Sequence, residues 1–252
     1  MPFTYAVRPS FISLPVWQAN DEALRLFKSA IELDPDFAPA YGRAAACYAW
    51  AKGNSWISVT PNEVAEVTRL AQRAVELGKD DAVALAAAGW ALVYVVRDLG
   101  AAGLIDRALV LNSNLAEAWF YGGWIKTFLG EPEAAIERFA RAMRLSPLDP
   151  RVPAMRSGTA FAHFLLGRYD EAASWAAMAL QDRPDYLHGL RIQAASNAMA
   201  GRLDEAHQAV ARLRQLNPAL RVSDLKDVLS HYLRAEDLSR YEEGLRQAGL
   251  PE

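Results

Sequence analysis

The stretch LGEPEAAIERFARAMRLSPLDP, residues 129–150, decides the fold of this 252-residue chain. Gly130 opens a short turn with acidic residues and Pro132, an alanine-rich run follows, and Ser146-Pro147 ends it. Glycine readily takes the left-handed conformation that closes a helix, and acidic residues stabilise the first turn of the next one. Proline supplies no N–H and ends a helix. The stretch therefore predicts a turn between two helices and the full length of the second.

Near-copies of this stretch recur along the chain. Their ends fall at intervals of 44, 34, 34, 37 and 34 residues, at Pro35, Lys79, Ser113, Pro147, Pro184 and Pro218. Three equal intervals out of five indicate a repeat protein, and each repeat contains two helical segments. The turns between these segments share one pattern (LGEPEAA, LGRYDEA, AGRLDEA), with a predicted helix-closing glycine at Gly130, Gly167 and Gly201.

The second helix of each repeat carries alanines seven residues apart with a larger side chain between them. The pairs are Ala23/Ala30, Ala101/Ala108, Ala135/Ala142 and Ala172/Ala179, and the larger residues are Phe27, Ile105 and Phe139. Small residues let neighbouring helices approach closely, and the large residue fills the space between them. The first helix has a large residue followed by a small one a turn later, such as Trp119 and Gly123.

This pattern resembles the tetratricopeptide repeat, which has a large residue, a small pair, Ala-x3-Phe and then Pro over 34 residues. The resemblance covers residues 20–220. It implies an all-α fold, a right-handed superhelical solenoid of about five to six helix-turn-helix repeats. Residues 1–19 are expected to form an irregular N-terminal segment, because Pro9 and Pro15 interrupt the pattern, and residues 221–252 to form C-terminal capping helices.

More narrowly, AIELDPDFAPAY, LGRYDEA and the stretch quoted above are similar to the C-terminal region of certain bacterial multidomain regulators. In those proteins a tetratricopeptide array follows an adenylate or guanylate cyclase domain, or a winged-helix DNA-binding domain. No part of this chain corresponds to either upstream domain, so the resemblance implies neither activity for it. It implies a bacterial protein of signal transduction.

The repeat that ends at Lys79 is 10 residues longer than 34, and the excess lies in an insertion loop at residues 53–62. Gly53 is predicted to end one helix, and Thr60-Pro61-Asn62-Glu63 to begin the next as a capping box with proline at its first position. The loop carries Trp56 and Ile57. Two alternatives stay open for them: contact with a ligand in a groove, or simple packing of the loop against the array.

Composition and short motifs exclude several kinds of protein. The 27 basic and 30 acidic residues are interspersed, without the basic block of a nucleic-acid-binding protein. Cys47 is the one cysteine, which excludes an intramolecular disulfide and fits the cytoplasm. There is no secretory signal, membrane span, metal-ligand spacing, phosphate loop or nucleophile motif. We therefore expect a cytoplasmic protein that is not an enzyme and has no cofactor, metal or nucleic-acid partner.

The first helices of a tetratricopeptide array line its concave face, so one stripe of each should point into a groove. The groove residues inferred in this way are unusually aromatic: Trp50, Trp90, Tyr94, Phe120, Trp124, Phe128, Phe161, Phe164 and Arg191. A contiguous apolar surface of this kind is normally a binding site. The alternative is that these rings, or a terminal helix such as residues 223–233, fill the groove.

The leading hypothesis is a scaffold or adaptor that binds an apolar or amphipathic peptide, or a helix, of another protein in this groove. A chaperone-tail peptide fits poorly, because the stripe lacks the lysines and asparagines that would grip a terminal carboxylate together with Arg191. Two other hypotheses stay open. One is the sensory or oligomerising arm of a bacterial regulator without its output domain, and the other is a groove for a small apolar ligand. The partner's identity and a homo-oligomeric state also stay open.

Overall fold

The computed structural model describes residues 16–54, 59–229 and 234–252. Within these ranges all regular secondary structure is helical, which confirms the predicted all-α class. The helices are α1 Val16–Leu33, α2 Ala38–Gly53, α3 Pro61–Leu77, α4 Ala82–Ala91, α5 Ala102–Leu111, α6 Ala116–Phe128, α7 Pro132–Leu145, α8 Val152–Leu165, α9 Tyr169–Asp182, α10 Leu187–Met199, α11 Leu203–Leu216, α12 Val222–Leu229 and α13 Ala235–Gln247. A π-helical segment, Leu92–Val96, continues α4, and a 3-10 turn, Leu99–Ala101, precedes α5.

The chain forms two compact units, Met1–Asn112 and Ser113–Glu252. In the first unit α1 packs on α2, and the hairpins α2–α3 and α4–α5 follow. The second unit contains the hairpins α6–α7, α8–α9 and α10–α11, followed by α12 and α13. The first helix of each hairpin also packs on the first helix of the hairpin before it in the same unit. The repeats read from the sequence are therefore helix-turn-helix repeats in the structure.

Three hairpin turns of the second unit are built alike. Gly130, Gly167 and Gly201 have φ angles of 73°, 72° and 78°, the left-handed conformation predicted for them. In each turn the residue after the glycine donates its N–H to the carbonyl five residues earlier, from Glu131 to Lys126, from Arg168 to His163 and from Arg202 to Asn197. These bonds satisfy carbonyls at the end of the first helix and reverse the chain direction.

The longer repeat of the first unit begins its second helix with the predicted capping box. The Thr60 hydroxyl accepts the Glu63 N–H at 3.3 Å, and the Glu63 carboxylate accepts the Thr60 N–H at 2.7 Å. Pro61 is the first residue of α3, and α2 ends at Gly53, as predicted. Trp56 and Ile57 of the insertion loop lie outside the described residues.

Phe139 fills the space between the first helices of two consecutive repeats, as the alanine pattern predicts. It lies on α7 between the buried Ala135 and Ala142, and its ring is fully buried. A Cβ atom built at Gly123 of α6 would lie 2.6 Å from this ring, and one built at Gly158 of α8 would lie 2.4 Å from it. The two glycines therefore make room for the ring that joins α6, α7 and α8.

A buried ion cluster ties the start of α6 to the turn before α8. Arg151 donates to both carboxylate oxygens of Asp149, at 2.9 and 2.8 Å, and to Glu117 at 3.3 Å. Glu117 also accepts the Tyr121 hydroxyl at 2.8 Å, and its side chain is 8% exposed. These contacts hold the pKa of the Asp149 carboxyl below its usual value against the effect of burial. The Asp149 carboxylate stays ionised beside the guanidinium and pairs with it.

Three features differ from the sequence-based expectations. Phe27, the predicted packing residue of α1, is only partly buried, and α1 packs mainly on α2. The first helix of the second repeat becomes π-helical at Leu92–Val96, and Arg97 follows in the left-handed conformation with φ of 69°. Terminal units of a solenoid need a polar outer face, but Asp237 of the capping helix α13 is buried between Arg234 and Arg240, which pair with it.

No helix in the described part of the chain has the length and apolar character needed to cross a membrane.

Candidate functional site

The first unit carries three of the predicted groove residues, Trp50 on α2, Trp90 on α4 and Tyr94 in the π-helical segment. Trp90 is buried, whereas Trp50 and Tyr94 are partly exposed. The rings of Trp90 and Tyr94 stack with their centroids 4.7 Å apart and their planes inclined by 10°. The structure thus brings two of the three together as one stacked pair, at the point where the helix changes from α to π.

Lys52 holds the π-helical segment in place. Its Nζ donates to the Tyr94 carbonyl at 2.7 Å and lies 4.9 Å from the centroid of the Tyr94 ring. Burial, and to a smaller extent the charge of Arg97, lower the pKa of Lys52 to about 8. A π turn displaces backbone carbonyls from the regular helical ladder, and Lys52 satisfies one of them. Sequence reasoning missed this contact, because nothing in LVYVV signals a π turn.

In the second unit the predicted rings pack among themselves. Trp124 and Phe128 of α6 lie 6.1 Å apart, and Phe161 and Phe164 of α8 lie 6.4 Å apart, measured between ring centroids. All four rings are buried. Phe120 is also buried, and the centroid of its ring lies 6.4 Å from that of Phe139 and 5.3 Å from the Arg151 guanidinium. Phe120 therefore belongs to the packing between repeats.

The C-terminal helix α13 lies on the first helices of this unit. Its Tyr241 ring meets Phe161 and Phe164 edge-on, at 5.2 and 5.3 Å. A Cβ atom at Gly244 would lie 3.0 Å from the Ala195 carbonyl oxygen of α10, so the two helices cross closely there. Arg240 donates to the Leu165 carbonyl at the end of α8, at 2.8 Å. A terminal helix, α13, thus packs against the rings of α8; part of the segment 223–233 named in the sequence-based alternative, residues 230–233, lies outside the described residues.

His188 lies on α10 next to these rings. Its Nδ1 is 2.7 Å from the hydroxyl oxygen of Ser157, and its ring meets Trp124 at 5.1 Å and Phe161 at 5.8 Å. Burial, with a smaller effect of Arg191, holds the pKa of His188 well below its ordinary value. The imidazole is therefore neutral at physiological pH. Ser157 is fully buried, so a substrate could not reach the hydroxyl of this serine–histidine pair.

Arg191 follows His188 by one helical turn and is partly buried. Its Nε is buried and has no hydrogen-bond partner. Burial raises the pKa of Tyr241 to about 12, and the positive charge of nearby Arg191 partly opposes this rise. The sequence pattern placed Arg191 on this face, but it gave no signal for Ser157 or for Tyr241, which comes from a helix outside the repeats.

Among the described residues, no group of three or more histidine, cysteine, aspartate or glutamate side chains is placed to hold a metal ion. Cys47 is buried.

The fold is that of tetratricopeptide-repeat proteins. The chain is similar to Cut9 in the Cut9–Hcn1 hetero-tetramer of the APC/C, with 16% identity over 86% of this chain and 40% of that one and a TM-score of 0.68. It is similar to PilW, described as a widely conserved type IV pilus biogenesis factor, with 16% identity over 81% of this chain and 92% of that one and a TM-score of 0.60. It is also similar to YrrB, described as a TPR protein with an unusual peptide-binding site, with 21% identity over 77% and 93% and a TM-score of 0.50. No sequence-family profile and no curated protein matches the chain.

Proposed function

We propose that the protein is a non-enzymatic interaction scaffold, and that the aromatic face of its first helices binds an amphipathic helix or peptide of another protein. The observation that carries this proposal is α13. In the second unit this helix packs on α10 and places the Tyr241 ring against two rings of α8. A face that accepts a helix of its own chain has the shape and chemistry to accept a helix of a partner.

The contacts of α13 indicate what such a partner segment requires. One aromatic ring enters a cluster of aromatic rings, where it buries a large area at small entropic cost. A residue without a side chain, Gly244, lets the helix backbone approach α10. These residues, Tyr241 and Gly244, are three apart in sequence and share one face of the helix. A partner helix of this kind would show apolar or small residues at helical spacing.

The comparisons support this proposal at the level of the fold. YrrB, which shares the fold, is described by its peptide-binding site. The partly exposed aromatic residues of the first unit, Trp50 and Tyr94, lie on the first helices of two hairpins, on α2 and on the π-helical continuation of α4. Partly exposed aromatic side chains on such a surface are typical of binding hot spots.

A photo-cross-linking experiment tests the proposal. Trp90 and Trp124 are only 5% and 9% exposed, so alanine at these positions would open the core and confuse folding with binding. We would instead place a photoreactive phenylalanine analogue at Tyr94, and at Leu148, which is 94% exposed, as the control. We expect capture from Tyr94 only, by a segment with apolar residues at helical spacing. Equal capture from both positions, or no capture from Tyr94, would contradict the proposal.

A more specific form of this proposal is that the repeat array is the sensory or oligomerising region of a bacterial cytoplasmic regulator. It is supported by the similarity of residues 129–150 to the arrays of cyclase and winged-helix regulators. Co-expression with the output domain encoded nearest to this chain, followed by size-exclusion chromatography, tests it. Co-elution supports the regulatory arm, and separate elution counts against it.

A further inference from the structure

An arginine without a counter-charge lies on the aromatic face of the second unit. Within the described part of the chain the Arg191 guanidinium makes no hydrogen bond and no ion pair, and its Nε is buried without a partner. Most other arginines of this unit with a partly buried side chain pair with a carboxylate: Arg151, Arg156, Arg183, Arg202 and Arg240. Arg191 is thus an exception that packing within the chain does not explain.

The charge of Arg191 acts on two neighbouring side chains, Tyr241 and His188. Tyr241 faces it from α13, and the Tyr241 hydroxyl makes no hydrogen bond within the described residues. His188 lies one turn before it on α10 and is uncharged, since burial lowers the pKa of the imidazole well below its ordinary value. The Trp124 ring meets the His188 ring edge-on, with 5.1 Å between the ring centroids. No negative charge therefore balances the guanidinium from these neighbours.

A partly buried cation without a counter-charge is unfavourable, because it loses hydration without gaining a partner. A carboxylate matches the planar guanidinium with two parallel hydrogen bonds and one compensating charge. A phosphate group would bring up to about two negative charges, more than one arginine balances. A C-terminal carboxylate fits less well, because the inferred groove residues offer no lysine or asparagine beside Arg191.

We infer that Arg191 binds the carboxylate of an aspartate or glutamate side chain on the partner segment, with the Tyr241 hydroxyl beside it as a second donor. The inference rests on the proposed function, since it assigns the chemistry of one position in the bound helix or peptide. It adds a specific polar contact to an otherwise apolar face. Such a contact selects among amphipathic segments and fixes the register of the one that binds.

The test is a selection of displayed random peptides of about 16 residues, about four helical turns, on the immobilised full chain. Three proteins are compared: wild type, Arg191→Met and Arg168→Met. Arg168 is the control, because it is an exposed arginine of the same unit in the turn between α8 and α9. A peptide selected by wild type is then synthesised with its acidic residue intact and with the matching amide, and both are titrated by fluorescence anisotropy.

We expect an acidic residue at one position of the peptides selected by wild type and by Arg168→Met. The amide peptide should bind wild type about 10- to 100-fold more weakly than the acidic one, as for the loss of a charged hydrogen bond. With Arg191→Met the two peptides should bind within about threefold of each other, the additivity expected of uncoupled groups. As a check independent of folding, Arg191→Glu should prefer a peptide with lysine at that position.

The outcomes separate the two proposals. If wild type selects peptides without an acidic preference, or if Arg191→Met keeps the preference, the inference about Arg191 is wrong and the proposed scaffold function stands. If no protein selects any peptide, the proposed function fails, and the inference fails with it. Near-ultraviolet circular dichroism of each variant confirms that the aromatic cluster has kept its packing.

Discussion

The substitution Gly158→Ala tests how the repeats of the second unit are joined. A Cβ atom at this position would lie 2.4 Å from Cζ of Phe139, whereas non-bonded carbon atoms rest at about 3.5–4 Å. The ring must therefore move by about 1 Å. It is fully buried, and its edge also lies against Gly123. Overpacking of this kind costs about 1–3 kcal/mol, and the better helix propensity of alanine offsets about 1 kcal/mol.

We therefore expect Gly158→Ala to lower the free energy of unfolding by about 0–2 kcal/mol, the difference between these two contributions. Urea unfolding followed by far-ultraviolet circular dichroism measures it. Gly103→Ala is the control, because nothing lies within 4 Å of a Cβ atom there and the position is exposed on α5. That substitution should raise the free energy of unfolding by about 0.5–1 kcal/mol.

A double-mutant cycle with Phe139→Leu identifies the cause. Leucine lacks the ring atoms that meet the new methyl group, so the two losses should be less than additive by about 1 kcal/mol or more. If Gly158→Ala stabilises the protein as much as Gly103→Ala does, or if the two substitutions are additive, the ring does not lie between these helices as described. The packing argument for the whole unit would then be wrong.

Three further predictions follow from buried or constrained groups. Because burial lowers the pKa of His188 in the folded protein, the unfolded chain binds a proton more readily as the pH falls. Lowering the pH from 7.5 to 5.5 should therefore reduce the free energy of unfolding by at most about 1.4 kcal/mol, and His188→Gln should weaken this dependence in urea titrations. Glu117→Ala should lower the free energy of unfolding by about 1–3 kcal/mol. As a control, Asp80→Ala, which breaks an exposed ion pair, should lower it by less than about 0.5 kcal/mol. Equal losses for the two variants would contradict the burial of the Glu117 ion cluster. A Cβ atom at Gly167 would meet no atom within 4 Å, so only the left-handed backbone opposes Gly167→Ala. We expect this substitution to lower the free energy of unfolding by about 1–2 kcal/mol, measured by thermal unfolding. An unchanged stability would contradict the left-handed conformation.

Local and periodic features of the fold could be predicted from the sequence. The capping box at Thr60, the left-handed turns at Gly130, Gly167 and Gly201, and the buried Phe139 all depend on residues close in sequence or on the repeat period. Each of these signals is repeated or has a fixed chemical meaning. They fixed the class and the positions of the five hairpins within the described residues.

The candidate site was predicted only in part, because its contacts cross between elements that the repeat pattern does not relate. Helical spacing placed Phe161, Phe164 and Arg191 on the first helices. It could not show that Tyr241, from α13, covers two of these rings. Nor could it show the π-helical segment, which has one more residue per turn than the repeat pattern assumes and is contacted by Lys52, 42 residues earlier than Tyr94. The roles of Trp56 and Ile57, which lie outside the described residues, remain predictions.

The repeated glycine turns also bear on how the chain folds. Their hydrogen bonds join residues no more than five apart, as from Glu131 to Lys126. A turn of this kind forms without waiting for distant parts of the chain, so each hairpin of the second unit can nucleate independently and recruit its neighbour by stacking. The same closing turn recurs after α13, at Gly249, with φ of 87°. The helix that covers the aromatic face can therefore complete its own end locally, and its docking can be a late event on hairpins that have already formed.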